Sequence, residues 1–525
     1  MIVDLLAQTD PRFAVPAVQW KEILPLFIMG IAPIILVVLV SLMGKRSQSE
    51  IGLLSMVFSV MAAGISFAAL FPIWRTVQEF GPLGLVGESL GVDSFVLIMW
   101  GLIIVMAAVA SLTFERQSFS GRNSGVSSVM EQHVLLFLSA TGGMIMVAAN
   151  NLILLFVGLE VLSIAVYVLA ALDLRRSTSQ EAGFKYFALG AVSSAIFAYG
   201  IALVYGATGS IQLSEIANSG VNALGLSSRV EASLILVGIM FLLVGFAFKI
   251  SAVPFHSWTP DVYQGSPTAV VGFMASAVKV AGVATLLRVL LVSFSDFGDQ
   301  LRPVIFVLAA LSLVGGAVMA LAQTDAKRMM AFSSINHVGF LLVGIYVAQG
   351  LGDAGSLGVR SVVFYLIAYS FMVAGAFGIM SLIQRTHERN TGHDTPLTLE
   401  AMAGLYKQQP LYAGLLAFFL LAQAGVPFTA GFWSKVRVIF AATGTQETGG
   451  YILAAVAMLS AVIAAFLYLR IIVSMFMSDP NEARDKKVTF VPSISVAGVG
   501  VCVIVVLILG IIPGVASGML EAVAP

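Results

Sequence analysis

Residues 248–258 read FKISAVPFHSW, and residues 424–435 read AGVPFTAGFWSK. Each stretch places a proline and a lysine within an apolar run long enough for a membrane helix. Proline removes a backbone donor and its ring clashes with the preceding turn, so each run is predicted to be a broken helix. Backbone groups freed at membrane depth are tolerated only inside protein or beside water. The two stretches therefore predict a polytopic membrane protein with two interrupted helices.

The composition agrees with this prediction and excludes several other classes. The chain is 59% hydrophobic and 10% charged, whereas a soluble domain is about 25% charged. Its net charge of zero argues against nucleic-acid binding and against a polybasic lipid-binding role. Cys502 is the only cysteine, so the chain has no intrachain disulfide and cannot hold an iron–sulfur cluster. The five histidines are scattered, which makes a haem or metal site improbable.

The apolar runs predict an all-α fold with about fourteen transmembrane helices, since each span needs about 20 apolar residues. Both broken helices contain Val-Pro-Phe, and paired interrupted helices indicate an inverted repeat with an ion path at the midplane. The predicted organisation is three N-terminal helices (1–130), a first five-helix repeat (131–292), a second, inverted five-helix repeat (302–476) and a C-terminal helix (490–525).

Cations in the polar gaps predict the orientation. One side carries Lys45, Arg46, Arg116, Arg122, Arg175, Arg176, Lys327, Arg328, Arg385, Arg389, Lys407, Arg484, Lys486 and Lys487. The other side carries Arg12, Lys21, Arg75, Arg229, Arg302 and Arg360. The positive-inside rule makes the first side cytoplasmic. An even number of spans then places both termini on the periplasmic side.

Five charged residues lie inside the apolar runs: Glu160, Lys185, Lys249, Lys279 and Lys435. An ionised side chain at the bilayer centre costs at least about 3 kcal/mol on insertion scales. A buried lysine can release its proton near neutral pH, which an arginine cannot do. We interpret the five as a line of proton-exchanging groups.

Some of these residues also allow plainer interpretations. Glu160 lies about 20 Å from Asp173 at 1.5 Å per residue, so it is mid-membrane. It is either a protonatable relay group or a neutral acid bonded to a neighbouring helix. Lys185 either pairs with Glu181 one turn away or reaches Glu160 across a short loop. His337 is either a relay group or a neutral core histidine.

Polar residues near the breaks are harder to assign. His256, Trp258 and Asp261 follow the first break and are interpreted as a cap for a half-helix. Tyr468 and Arg470 are either a pair that reaches the membrane surface or part of an exit path.

Long stretches of the chain resemble the antiporter-like membrane subunits of respiratory complex I, and among these the subunit N type. The resemblance covers roughly 130–475 and is carried by FVGLEVLSIAVYVLAAL (156–172), EAGFKYFALGAVSSAIFAYGIALVYGATGS (181–210), FKISAVPFHSWTPDVYQGSPTAV (248–270), TDAKRMMAFSSINHVGF (324–340) and AGVPFTAGFWSKVRVIF (424–440). TPDVYQGSPT and the lysines at 279 and 435 favour the subunit N type.

The resemblance implies a proton-translocating subunit of a membrane NADH:quinone oxidoreductase. It assigns the uptake carboxylate to Glu160, the modulating lysine to Lys185, the central lysines to Lys249 and Lys279, and the exit lysine to Lys435. NAD, FMN, iron–sulfur clusters and quinone are then expected in partner subunits, with no cofactor in this chain. The expected partners are other membrane subunits, the lipid bilayer and protons, in a bacterial plasma or inner membrane. The alternative is a subunit of a related multi-subunit cation/proton antiporter, and a third interpretation is a purely structural subunit.

Overall fold

The computed structural model describes residues 18–43, 48–114, 129–174, 176–218, 229–350, 352–391, 396–479 and 495–523. The helices before the first repeat are α1 (Leu24–Leu42), α2 (Gln48–Ala68), α3 (Leu70–Phe80) and α4 (Ser94–Thr113). Strands β1 (Leu83–Leu85) and β2 (Leu90–Val92) pair antiparallel between α3 and α4, in the register Leu83↔Val92. This small hairpin is the one departure, within the described residues, from the predicted all-α fold.

The helices of the predicted first repeat are α5 (Val129–Ala148), α6 (Leu152–Ala170), α7 (Ser177–Thr208), α8 (Leu213–Ala217), α9 (Arg229–Ile250), α10 (Trp258–Gly265), α11 (Thr268–Phe273) and α12 (Lys279–Val292). A π-helical segment, Met274–Val278, joins α11 to α12, and a 3₁₀ turn, Ser295–Phe297, follows α12.

The remaining helices are α13 (Gly298–Leu321), α14 (Ala326–Ala348), α15 (Gly352–Thr391), α16 (Leu405–Gln408), α17 (Pro410–Ala424), α18 (Ala430–Gly444), α19 (Thr448–Met477), α20 (Ser495–Ile511) and α21 (Ser517–Glu521). A 3₁₀ turn, Pro513–Ala516, precedes α21.

Several helices begin where the sequence supplies a capping side chain. Asp93 accepts from the backbone N–H of Val96 at 2.8 Å, and Asn151 accepts from that of Leu154 at 2.7 Å. Asp325 caps α14 in the same way. These side chains satisfy donors that the first helical turn leaves unpaired, so loops as short as Ala149–Asn151 can connect two membrane helices.

Polar contacts gather at two opposite ends of the helix bundle. At one end, Arg176 pairs with Glu388, and Asp325 forms a β-bridge with Thr398. We call this the Arg176 end. It contains the described loop cations of the predicted cytoplasmic side. The cations of that side that lie outside the described residues are Lys45, Arg46, Arg116, Arg122, Arg175, Arg484, Lys486 and Lys487, and Arg12 of the other side lies outside them as well.

The opposite end is held together by a second set of polar contacts, and we call it the Arg288 end. Arg288 pairs with Asp93 at 2.6 Å and donates to Asn150 at 3.1 Å. Arg302 pairs with Glu447 there. Arg302, which the sequence assigns to the periplasmic side, thus lies at the end opposite Arg176.

Three helices form the centre of the bundle. The most apolar 18 residues of Thr268–Val292 and of helix α14 are wholly buried, and those of α15 are almost completely buried, whereas Val292 at the end of the first segment is exposed. The surrounding helices α1, α7 and α19 bury only one face. A helix buried on all sides inside a membrane protein has no lipid contact, so polar groups on α12, α14 and α15 can contact only protein or enclosed water.

Twelve described helices are long and apolar enough to cross a membrane, and the bent pair Ser495–Ile511 and Pro513–Glu521 makes thirteen if it is counted as one span. The predicted count of about fourteen exceeds this because α17 and α18 have 15 residues each. Fifteen residues rise about 23 Å, which is less than the roughly 30 Å of a hydrocarbon core.

Both predicted helix breaks are present. Helix α9 ends at Ile250, and regular helix resumes at Trp258. Helix α17 ends at Ala424, and α18 begins at Ala430. Each interruption contains the Val-Pro-Phe tripeptide, as expected from the missing proline donor.

Candidate functional site

Lys249 lies in the last turn of α9 and is 4% exposed. Its ammonium nitrogen donates to the hydroxyl of Ser163 on α6 at 2.8 Å. It also lies 5.9 and 5.8 Å from the ring centres of Tyr167 and Tyr186. A cation over an aromatic face is attracted by the ring quadrupole. The surroundings of Lys249 are thus polarisable and neutral, apart from an electrostatic interaction with Glu160.

Glu160 is only partly buried, at the middle of α6. Its carboxylate accepts a hydrogen bond from the hydroxyl of Ser194 on α7. This is the neighbouring-helix bond that the plainer interpretation predicts, and it leaves the relay interpretation open. It also shows which part of α7 faces Glu160, namely a position nine residues beyond Lys185.

Lys185 does not pair with Glu160, which corrects the predicted ion pair. Its ammonium nitrogen lies 2.6 Å from Glu181 and 3.0 Å from Asp261. The 9 residues from Lys185 to Ser194 rise about 14 Å along α7, so Lys185 sits towards the Arg176 end. The alternative pair with Glu181 is confirmed.

Asp261 forms a second ion pair at the same place. Its other carboxylate oxygen lies 2.5 Å from the guanidinium of Arg328 on α14. Burial raises the pKa of Asp261, but hydrogen bonds from Arg328 and Lys185 outweigh this effect and hold its pKa below the usual value. A polar cavity of about 380 Å³ opens beside these residues and is also lined by Lys327.

Trp258 confirms part of the cap interpretation. Its indole N–H donates at 3.0 Å to the carbonyl oxygen of Phe248 in the last turn of α9, which also accepts from the backbone N–H of Ser251. Asp261, interpreted with Trp258 as part of the cap, instead joins α7 to α14 through ion pairs.

Lys279 is the first residue of α12, directly after the π-helical segment Met274–Val278, and it is 2% exposed. Its ammonium nitrogen donates to the hydroxyl of Ser334 on α14. The same hydroxyl lies 2.7 Å from the hydroxyl of Tyr369 on α15. π-Helical turns inside α-helices often mark functional positions. Here the segment precedes the lysine that contacts both other central helices.

His337 is fully enclosed one turn after Ser334 on α14. Its Nδ1 lies 2.7 Å from the hydroxyl of Tyr365, and its Nε2 lies 3.1 Å from that of Tyr468. The Tyr468 hydroxyl also lies 2.6 Å from that of Ser333. A hydroxyl donates and accepts at once, so His337 belongs to a continuous hydrogen-bonded group.

Lys435 lies on α18 and is 6% exposed. Its ammonium nitrogen donates to the carbonyl oxygen of Ala424 at 2.8 Å and lies 5.4 Å from the ring centre of Phe340. The sequence left open whether Tyr468 and Arg470 form a pair at the membrane surface or part of an exit path. In the structure the two side chains contact different groups. Tyr468 contacts His337, whereas Arg470 donates to the carbonyl oxygen of Leu321.

The neutral partners of the lysines were missed by sequence reasoning. They are Ser163 beside Lys249, and Ser334 and Tyr369 beside Lys279; Tyr365, which bonds to His337, was missed as well. Their spacing carried a signal, because Ser163 follows Glu160 by three residues, Ser334 precedes His337 by three, and the two tyrosines are four apart. Residues three and four apart share a helix face.

No three His, Cys, Asp or Glu side chains come close enough to hold a metal ion in the part of the chain that the structure describes. Lysines, hydroxyls, a histidine and a carboxylate at the site can form hydrogen bonds and exchange protons.

Comparisons with known proteins point to one family. The model described as NADH:quinone oxidoreductase/Mrp antiporter, TM, matches residues 149–464. NADH-quinone oxidoreductase subunit N 3 of Streptomyces griseus is 37% identical over 95% of this chain and 93% of its own length. Subunit N of Rhodococcus opacus is 45% identical over 72% of this chain and 66% of its own length.

Solved structures share the fold. A chain of respiratory complex I from Thermus thermophilus matches with a TM-score of 0.75 and 30% identity, over 95% of this chain and 99% of that chain. A chain of the Mrp complex from a Dietzia species matches with a TM-score of 0.78 and 19% identity, over 96% of each chain.

Proposed function

Because this chain belongs to the NADH:quinone oxidoreductase/Mrp antiporter membrane family, we propose that it translocates protons as the subunit N of an NADH:quinone oxidoreductase. The proposed path runs through Glu160, Lys249, Lys279, His337 and Lys435. Redox chemistry in partner subunits drives the transfer, and NAD, FMN, iron–sulfur clusters and quinone belong to those partners.

One observation carries the proposed path. Lys249, Lys279 and Lys435 are buried, and their hydrogen-bond partners among the described residues are neutral oxygens. A permanent buried charge without a counter-ion costs several kcal/mol. A lysine can avoid this cost by giving up its proton, so these positions suit groups that alternate between two protonation states.

The hydroxyls around the lysines support the same proposal. Ser334, Tyr369, Tyr365 and Tyr468 each bring a group that accepts and donates simultaneously. A proton passed between lysines through such groups needs no large movement of a helix. In this proposal the lysines hold the protons, and the hydroxyls connect the lysines through hydrogen bonds.

Lys185 takes a different role in the proposal. Its pairs with Glu181 and Asp261 place it beside the polar cavity at the Arg176 end rather than on the central line. A cation there influences the charge of the path from its cytoplasmic side. The positive-inside rule supports the assignment of the Arg176 end to the cytoplasm, with both termini on the periplasmic side of a bacterial plasma or inner membrane.

We extend the proposal to the architecture. Helices α17 and α18 together make a broken fourteenth span, and residues 131–292 and 302–476 form two inverted five-helix halves. The paired Val-Pro-Phe breaks support this division, because interrupted helices at corresponding positions accompany inverted repeats.

The experiment is replacement of Lys279 by alanine in the assembled complex. We expect turnover of NADH with quinone and proton uptake into inverted membrane vesicles to fall together, because a buried transfer group has been removed. NADH oxidation by ferricyanide, which bypasses the membrane path, should be retained and reports assembly. Unchanged proton uptake in an assembled complex would reject the path.

The alternative is a cation/proton antiporter subunit, which the shared fold of the Dietzia Mrp chain favours. Purification of the tagged chain from its native membrane separates the two. Co-purification with flavin and iron–sulfur absorbance supports the oxidoreductase. A complex without these chromophores, which exchanges sodium for protons in vesicles, supports the antiporter.

A further inference from the structure

The hydrogen bonds of the two central lysines end in different groups. Lys249 donates to Ser163 on α6, whereas Lys279 donates to Ser334 on α14. No hydrogen bond between described side chains joins these two groups directly. The short helix α10, which follows the first break, lies against both α7 and α14 and so occupies the space between them.

Tyr263 of α10 belongs to the Lys279 group. Its side chain is 1% exposed, and its hydroxyl lies near the side chain of Ser334. Ser334 is the same residue that accepts from Lys279 and contacts Tyr369. The hydroxyl of Tyr263 therefore extends the Lys279 group from α14 into α10.

Tyr263 also approaches the Lys249 group through aromatic packing. Its ring meets that of Trp258 edge-on at 6.4 Å, and Trp258 stacks on Tyr186 at 4.2 Å with 7° between the planes. The ring of Tyr186 lies 5.8 Å from the ammonium nitrogen of Lys249. Trp258 thus packs against both the ring of Tyr263 and the ring of Tyr186.

The hydroxyl of Tyr186 has capacity for a further hydrogen bond. It is buried, and no described side chain or backbone group pairs with it. A buried polar group without a partner costs about 1–3 kcal/mol, so a water molecule or a transient partner at this hydroxyl is favoured. On the Lys249 side of Tyr263, the hydroxyl of Tyr186 is thus able to take part in a proton chain.

We propose that Tyr263 relays protons between Lys249 and Lys279, with the hydroxyl of Tyr186 and water completing the link to Lys249. The proposal rests on the proposed path. In one transfer Lys249 releases a proton to the water and the Tyr186 hydroxyl, and the hydroxyl of Tyr263 accepts a proton on its oxygen while releasing its own to Ser334. Ser334 accepts that proton while passing its own hydroxyl proton to a neutral Lys279, which becomes charged. Tyr263 ends neutral, and rotation of its hydroxyl restores the starting arrangement.

The test is Tyr263→Phe in the assembled complex, which removes one hydroxyl and retains the ring that packs on Trp258. A positioned proton-transfer group contributes at least about a hundredfold to a rate, and waters can replace part of that effect. We therefore expect coupled turnover and proton uptake to fall at least about tenfold, with a larger solvent deuterium isotope effect.

Tyr199→Phe is the matched control. Tyr199 lies on α7, is 58% exposed and packs against Phe241. The same change there should leave turnover and the isotope effect unaltered. Ferricyanide reduction by NADH reports assembly of both variants.

Normal turnover and proton uptake in assembled Tyr263→Phe, alongside a defective Lys279→Ala complex, would overturn the role of Tyr263 and leave the path intact. Normal turnover in both would reject the path itself. If Tyr263→Phe does not assemble, 3,5-difluorotyrosine at position 263 keeps the ring and the hydroxyl while making the hydroxyl more acidic. A relay then predicts a changed solvent deuterium isotope effect on turnover, and an unchanged isotope effect overturns the proposal.

Discussion

Lys435 donates a hydrogen bond from its ammonium nitrogen to the carbonyl oxygen of Ala424, 2.8 Å away. Ala424 is the last residue of α17, so this bond satisfies a carbonyl that the helix end leaves free. A cation at a helix C-terminus also interacts favourably with the helix dipole. The lysine proposed as the exit group therefore also stabilises the break beside it, and its protonation is linked to the geometry of α17.

Gly425 tests this link. It has a φ of +93°, and a Cβ atom at this position would lie 3.1 Å from Cδ of Lys435. Left-handed backbone costs a residue with a side chain about 1–2 kcal/mol. Gly425→Ala should shorten the half-life of the purified complex during heating and lower coupled turnover, since the lysine must move.

Gly414→Ala is the control for Gly425→Ala. Gly414 lies inside α17, the helix that Gly425 directly follows, and a Cβ atom there meets nothing within 4 Å. Alanine is about 1 kcal/mol better than glycine in a helix interior, so this variant should be as stable as the parent or more so. Equal behaviour of the two variants would show that Lys435 and Gly425 are not linked.

Lys249→Ala and Lys249→Arg should both lose most coupled turnover. Alanine removes the group that donates to Ser163, and arginine retains a charge that does not leave. A loss of about tenfold corresponds to 1.4 kcal/mol in the barrier. The measurement is proton uptake in vesicles, with ferricyanide reduction as the assembly control. Near-normal uptake in the arginine variant would contradict the proposal that Lys249 alternates between two protonation states.

Lys185 and Asp261 should show coupled effects in a double-mutant cycle. Both side chains are partly exposed, at 41% and 36%, so we expect a weak but measurable coupling. Thermal inactivation of the purified complex measures it. A cycle between Lys185 and Glu160 should be additive, and coupling there as strong as that between Lys185 and Asp261 would contradict the observed pairing.

The same ion pairs predict a pH dependence. Because the folded-state pKa of Asp261 is lowered, its contribution to stability is present above the unfolded pKa of about 3.9 and is lost as pH falls through the folded value. Melting of the purified complex should therefore depend less on pH in this acidic range when Asp261 is replaced by asparagine. An unchanged slope would mean that Asp261 contributes nothing through its charge.

Sidedness can be read from single cysteines at Ser177 and Thr448, in a background where the buried Cys502 is replaced by alanine. Both positions are exposed, at the Arg176 and Arg288 ends respectively. An impermeant thiol reagent should label Ser177→Cys only from the cytoplasmic face and Thr448→Cys only from the periplasmic face. Labelling of both from one face would mean that the number of crossings between them is even, and the inverted halves would have to be abandoned.

The sequence by itself determined the membrane class, the two broken helices and three lysines that the structure buries. These follow from distances along one chain: apolar run lengths, the position of proline, and the rise per residue of a helix. Lys249, Lys279 and Lys435 could therefore be named as candidates before any contact was known. The sequence did not determine the count of about fourteen spans in the same way. Whether the two 15-residue helices α17 and α18 form one span depends on how they are arranged.

Only the tertiary structure decided which groups face one another. Lys185 pairs with Asp261, 76 residues away, rather than with Glu160, and Lys279 meets Ser334 and Tyr369 from two other helices. Such partners depend on the rotation of each helix about its axis and on its position along its neighbours. Those quantities are set by the packing of all the helices together, so hydropathy and spacing within one helix do not contain them.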